Sequence, residues 1–236
     1  MCEEGKPLGI KAYGSIGHLP ESRVGPGDHA VPVGQAKICT VQARDKHDRI
    51  IVHEKLDGSC AAVAMICGNI VALGRAGWLA SSSPYIQHTM FASWVRQHEQ
   101  RFKAVLKEGE RIVGEWLAQA HGTLYDLRDR EPWGVFDLMR GHERATHDEF
   151  MERVDGRFWL PNCLHDGGPM SVDDAMRLHL KCHWPCDKTE GLVYRVERQG
   201  EVDFLAKWVR KDKTDGLYFP ENTGEGEVWN WPIGDF

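Results

Sequence analysis

Lys55 follows an apolar run, Ile50-Ile51-Val52, and precedes a turn-forming Leu56-Asp57-Gly58. A lysine there can keep its stem in a sheet and its amine at an edge. The amine is a nucleophile only when neutral, and an ordinary pKa of about 10.4 leaves almost none neutral near pH 7. Burial of the stem lowers an amine's proton affinity, so this setting predicts an activated lysine. The tetrad Lys55-Leu56-Asp57-Gly58 alone is equally a surface strand-to-turn junction. What distinguishes it is a series of later segments, each apolar with a charge inside. Val113-Gly114-Glu115-Trp116-Leu117 comes first, then Val135-Phe136-Asp137-Leu138, Thr189-Glu190-Gly191-Leu192-Val193-Tyr194-Arg195 and Leu205-Ala206-Lys207-Trp208-Val209-Arg210.

These residues need strands to hold them. The apolar patterning predicts strands at 49–53, 60–66, 70–73, 111–117, 133–138, 191–196 and 202–208, with Gly68-Asn69 as a hairpin turn. Phe91, Trp94, Val95, Phe102, Val105 and Leu106 form one stripe of a helix over 85–107, stopped by Gly109. A second helix is predicted over 171–180, capped by Ser171. Residues 14–34, rich in Gly and Pro, read as irregular. Many short strands with few helices predict an α+β fold of antiparallel sheets, with the charged residues at strand ends lining a cleft.

Composition narrows the classes. The 236 residues carry 42% hydrophobic and 27% charged residues, ordinary for one globular core. No run approaches the roughly 18 apolar residues of a membrane span, and the acidic opening Met1-Cys2-Glu3-Glu4 does not read as a secretory signal. Seven cysteines, odd in number and scattered, favour reduced thiols and a cytoplasmic location. The net charge of −6 excludes a protein that coats nucleic acid by overall positive charge. Basic surface must be local, and the densest run is Arg195, Arg198, Lys207, Arg210, Lys211 and Lys213.

In type, order and spacing the five charged segments resemble the ordered motifs of covalent nucleotidyltransferases: DNA ligases, RNA ligases and capping guanylyltransferases. Glu54 before Lys55, Arg75 twenty residues after it, the string Gly114-Glu115-Trp116-Leu117 with Ala120-His121 and Tyr125-Asp126, and the opening Ile16-Gly17-His18-Leu19-Pro20-Glu21-Ser22-Arg23 are similar to nick-sealing RNA ligases. The resemblance spans about residues 11–215. It implies the nucleotidyltransferase fold, ATP-grasp-like in outline, with antiparallel sheets walling an ATP cleft. It implies an ATP-dependent RNA ligase that joins 5′-phosphate and 3′-hydroxyl ends through lysyl–AMP on Lys55 and an adenylylated 5′ end. RNA is the implied partner, with a helper protein open as a source of nucleic-acid affinity.

The implied roles follow residue by residue. Arg75 contacts ribose hydroxyl and phosphate. Glu115 and Glu190 hold ribose or a divalent Mg²⁺ or Mn²⁺. Phe136 gives the base a flat face, and Lys207 neutralises the α-phosphate. Glu54 accepts from the adenine amino group, favouring ATP over GTP. Gly58 and Arg210 complete the nucleotide-binding set.

Two departures stand out. Many relatives carry two lysines separated by one residue in the last motif, whereas Lys207 has Leu205 and Val209 at those positions; Arg210, Lys211 and Lys213 are the available substitutes. Only a short tail, 218–236, follows, so the expectation is a single nucleotidyltransferase domain over 1–236 without a separate C-terminal domain. A DNA ligase or capping enzyme, and a nucleotide- or nucleic-acid-binding module with weakened catalysis, are the alternatives. Cys182 and Cys186, with Cys163 and His165 upstream, have a zinc-like spacing but read better as free thiols. His121 is the histidine expected nearest the cleft.

Overall fold

The structure, a computed structural model, describes residues 6–181 and 186–231. Two five-stranded sheets make the frame. The first contains β1 (Gly17–His18), β2 (Asp48–Lys55), β8 (Cys163–Gly167), β9 (Gly191–Arg198) and β10 (Glu201–Val209), in the order β1-β10-β9-β2-β8. The second contains β3 (Ser59–Ile66), β4 (Asn69–Gly74), β5 (Glu110–Trp116), β6 (Trp133–Arg140) and β7 (Glu143–Arg144), in the order β4-β3-β5-β6-β7. All pairings within these sheets are antiparallel except β1 with β10. The predicted α+β class and antiparallel sheets are thus observed.

Strand alternation gives each sheet two different faces. In the first sheet Ile50, Val52, Leu192, Tyr194, Val196 and Ala206 pack with Ala36 and Cys39 of α1 (Val33–Thr40) and Ala175 of α5 (Val172–His179). In the second, Ala61, Val63, Ile112, Trp116, Val135 and Leu138 pack under Phe91, Trp94 and Val95 of α2 (Ile86–Gln97) and Phe102 of α3 (Glu99–Lys103). The opposite face of that sheet, with Ala62, Ala64 and Val113, gathers Tyr13 and Phe136. Lys55 ends β2 and Ser59 begins β3, so one three-residue loop, Leu56-Asp57-Gly58, steps from sheet to sheet.

The sequence reading needs adjustment in four places. The helix expected over 85–107 divides at His98, whose ring Nδ1 lies 2.8 Å from the Trp94 carbonyl oxygen. The hairpin turn sits one residue earlier than expected. Cys67 (φ 50°) and Gly68 (φ 74°) are both left-handed, and their N–H groups donate to the Glu108 carboxylate at 2.6 and 3.0 Å. The irregular N-terminal stretch contains β1, and α1 lies mostly beyond it; α1 escapes pattern reading because it buries only Ala36 and Cys39. Finally, β8 and the helix α4 (His147–Val154) were unforeseen, β8 being a polar, part-exposed edge strand and α4 a short segment capped by Thr146. The capping of α5 by Ser171, which accepts from the Asp174 N–H at 3.1 Å, is as expected. A last short helix, α6 (Pro220–Thr223), lies in the tail.

Gly191 starts β9 opposite Val209, and a Cβ there would collide with the Trp208 carbonyl oxygen. Backbone cannot yield as a flexible side chain does, so Gly191→Ala is expected to destabilise by about 1–3 kcal/mol. Urea denaturation of the variant against the parent measures this; an unchanged midpoint would refute the close approach.

Candidate active site

The loop from β2 to β3 places Lys55 in a cavity of about 310 Å³. Its walls include Arg75, Glu115, Phe136, Glu190, Lys207 and Lys213. Gly58 and Glu54 border it too. The structure therefore brings the sequence-selected residues together, with Arg210 the exception.

Lys55 Nζ lies 2.6 Å from Glu190 Oε2 and 3.3 Å from the Leu56 carbonyl oxygen. Burial depresses its proton affinity, but the carboxylates of Glu190 and Glu115 outweigh burial and raise its pKa above the usual lysine range. This corrects the expectation of an amine made neutral by burial: here the partners favour the ammonium. Glu115 shows the reverse balance. Burial, against the opposing Lys55 and with Glu190 adding to it, pushes its carboxyl up to about 7. Its Oε1 accepts from the Gly58 N–H at 3.1 Å. A side chain on Gly58 would meet the Trp116 carbonyl oxygen, so the loop lies close against β5. Glycine here sets the height of Lys55.

Lys213, one of the possible substitutes for the absent second lysine, is drawn inside. It is 8% exposed, lies 2.8 Å from Asp57 Oδ1 and also pairs with Glu190. Asp57 Oδ2 accepts from the Gly122 N–H at 2.9 Å, and the Asp57 N–H donates to the Tyr125 hydroxyl at 3.0 Å. Lys207 stands elsewhere on the wall, 3.3 Å from Asp28. Burial and Lys55 lower its proton affinity. The opening Gly17–Arg23 segment accounts for this placement. β1 runs parallel beside Ala206 and Lys207, His18 Nε2 lies 3.1 Å from Asp28, and His18 Nδ1 lies 2.7 Å from Ser22 Oγ.

Phe136 meets Tyr13 edge to face at 5.3 Å, and Ile16, Val193 and Leu205 continue this apolar part of the wall. Leu205, two residues before Lys207, belongs to this apolar wall, and Lys213 is the further lysine beside Lys55 and Lys207 in the cavity lining. Arg75 is exposed at the rim, its guanidinium 3.3 Å from the Gly14 carbonyl oxygen and from Ser15 Oγ.

Two expectations, Arg210 in the cavity and a basic 195–213 surface, are corrected by geometry, and Glu54 borders the cavity with one carboxylate oxygen already engaged. Glu54 shares the face of Ile50 and Val52, away from Lys55; its carboxylate accepts from the Asn162 N–H at 2.7 Å and lies 3.9 Å from His179. Arg210 donates to the Thr189 carbonyl at 2.6 Å and pairs with Asp212 at 2.7 Å, outside the cavity wall. The 195–213 run is not a basic patch: Arg195 is buried against Asp137 and Glu197, Arg198 pairs with Asp45 and Asp48, and Lys213 is internal. Lys211 remains at the surface, 3.3 Å from Glu21. His121 Nε2 lies 3.2 Å from Gln87 Oε1 and its ring packs on Phe219, beside rather than on the cavity wall. Cys182 lies outside the described residues, and Cys163 faces His53 and His147 instead.

Glu115 and Glu190 offer the oxygen donors that suit a hard divalent ion, and both already act on a cation, the Lys55 ammonium. Their chemistry therefore fits Mg²⁺ or Mn²⁺.

Two antiparallel sheets flanking a lysine-bearing cleft define the fold of covalent nucleotidyltransferases. The sequence profile of the RNA ligase family matches residues 48–209, more than half of the chain, and the chain belongs to that family. No curated protein sequence matches it. Among solved structures, an apo variant of the Naegleria gruberi RNA ligase is similar at TM-score 0.51 and 15% identity, covering 86% of this chain and 57% of that one. The same ligase with pyrophosphate gives 0.51 and 17%, covering 82% and 59%, and a variant with AMP and Mn gives 0.50 and 15%, covering 88% and 62%. The chain thus spans somewhat over half the length of these ligases. Among the described residues no helix is long and apolar enough to cross a membrane.

The raised Glu115 carboxyl has a thermodynamic consequence. A carboxyl that binds its proton more tightly folded than unfolded contributes stability below its unfolded pKa, and this is lost as pH rises through about 7. Glu115→Gln keeps an acceptor for Gly58 and removes the titration. The variant's Tm, compared with the parent's, is therefore expected to improve progressively from pH 5 to pH 8. A Tm difference independent of pH would contradict the assignment.

Proposed function

We propose that this chain is an ATP-dependent RNA ligase that works through a lysyl–AMP intermediate on Lys55. The observation that carries the reading is the convergence of Lys55, Glu190, Lys213, Glu115, Lys207 and Arg75 on one cavity. Family membership and the AMP, Mn and pyrophosphate named for the Naegleria structures support it.

In the first step the Lys55 amine attacks the α-phosphorus of ATP. The N–P bond forms, the bond to the bridging oxygen breaks, and pyrophosphate leaves. Lys55 must lose its proton first, and Glu190 at 2.6 Å is the adjacent acceptor. Lys207 and Lys213 supply fixed positive charge where negative charge develops. Arg75 at the rim suits a ribose hydroxyl, and Phe136 suits the base. Glu115 and Glu190 would hold a divalent ion, which would supply further charge neutralisation at the phosphates. In the second step an RNA 5′-phosphate oxygen attacks the AMP phosphorus and Lys55 leaves as the amine. In the third, a 3′-hydroxyl attacks the adenylylated end, releasing AMP and closing the phosphodiester bond. The natural ends, and any protein that adds RNA affinity, belong to the same proposal.

Incubation with labelled ATP and Mg²⁺ should place one AMP on Lys55, located by peptide mass mapping. Lys55→Ala should bind ATP without acquiring label. Label on another lysine, or none on the parent protein, would sink the mechanism.

Lys211 and Lys213 provide a second comparison. Lys213→Ala leaves Glu190 and Asp57 short of a buried cation and should slow adenylylation roughly 10²-fold or more, the scale for removing one fixed charge-stabilising donor. Lys211→Ala, at the surface, should leave the rate unchanged. Equal effects of the two variants would remove Lys213 from the machinery.

A further inference from the structure

We propose that His53, His147 and Cys163 form a binding site for a zinc-class divalent ion at the base of the cleft. Their ligand atoms all lie within 4.8 Å of one another. The residues come from three segments distant in sequence: β2, the first turn of α4 and β8. Strand register makes His53 and Cys163 direct neighbours, next to an irregularity between Val52 and His53. The two imidazole rings stand 5.3 Å apart and tilted by 54°.

The donor chemistry selects the ion. Two imidazoles and a thiolate suit zinc, cobalt, nickel or copper, and not the oxygen-seeking Mg²⁺ of phosphoryl chemistry. With Zn–N of about 2.0–2.1 Å and Zn–S of about 2.3 Å, tetrahedral ligand atoms stand roughly 3.3–3.6 Å apart. The observed spread needs only about an ångström of closure, within reach of side-chain rotation at an edge strand. Cys163 is held there only by a weak 3.5 Å thiol contact to the His165 carbonyl.

The protonation states agree with this arrangement. Burial, with His147 and Arg195 nearby, pulls the His53 imidazole down to about 3, and burial with Arg195 and Arg49 lowers His147. Neutral imidazole is the form that ligates a divalent ion. The Cys163 thiol, raised by burial, must give up its proton on binding.

Surrounding charge does not oppose a cation. Arg49, Arg144 and Arg195 are set against Asp137, Asp148, Asp166 and Glu197, which leaves one carboxylate in excess. His53 and His147 also border the cavity that holds Lys55. The ion would tie β2 and β8 of the first sheet to the start of α4, and a fourth ligand, water or a cleft occupant, would complete it. This site uses none of the groups assigned above to nucleotide transfer.

The test uses the untagged, reduced full-length chain with Co²⁺ as an optical probe. One equivalent should produce a thiolate-to-cobalt charge-transfer band and visible d–d bands of a four-coordinate ion. Zn²⁺ should abolish these bands, Mg²⁺ should not, and Zn²⁺ should raise the parent Tm. Cys163→Ser, a change at an exposed position, should eliminate the charge-transfer band. His147→Asn should weaken cobalt binding roughly tenfold or more. Absence of the band in the parent protein, or its survival in Cys163→Ser, overturns the proposal. Self-adenylylation on Lys55 in Mg²⁺ alone is read separately, so failure of either reading leaves the other standing.

Discussion

Two ammonium groups share one carboxylate where the sheets meet. Glu190, 4% exposed, pairs with both Lys55 and Lys213, and Lys213 is held again by Asp57. Such a cluster is costly to assemble because each charge leaves water, and removing any one member strands the others in a poorly solvated place. Much of the nearby backbone serves to satisfy it. Tyr125 and Gly122 engage Asp57 through the Asp57 N–H and the Gly122 N–H, while the Gly58 N–H goes to Glu115. The loop joining β2 to β3 is therefore held at both ends and in the middle.

The cluster also fixes the problem any chemistry on Lys55 must solve. Its carboxylate partners hold the amine protonated, so a reactive amine requires those carboxylates to find other positive charge. A bound divalent ion and the retained Lys213 would provide it. Lys207 stands outside this arrangement, on β10, with its position set by Asp28, His18 and Ser22 from the opening segment. Lys207 and Lys213 thus reach the cavity on separate supports, one on β10 and one on the turn after it.

Buried ion pairs extend the same logic beyond the cleft. Asp137 at the heart of β6 meets Arg144 and Arg195, and Glu110 meets Arg140 and Arg153. Arg195 is thereby committed to holding strands together, Arg198 pairs with Asp45 and Asp48, and Lys213 is internal, so a run that looks basic in sequence provides little free positive surface.

The sequence by itself determined most strands, because alternating apolar residues can bury one face only in an extended chain. It also determined which charged residues share a cleft, since Lys55, Glu115, Glu190 and Lys207 sit at comparable places on strands of one architecture. It did not reveal α1, whose two buried small residues leave no periodic stripe, or β8, whose edge position needs no apolar pattern. Tertiary structure alone decided the partners. Strand alternation turned Glu54 away from Lys55 and toward Asn162, the turn after β10 carried Lys213 inward, and Arg210 was taken by Thr189 and Asp212. The same packing brought His53, His147 and Cys163 within reach of one another across 110 residues of chain. Residue type limits what a side chain can do, but whether it meets a proton, a phosphate or an ion depends on neighbours distant in sequence, and only the folded chain supplies those.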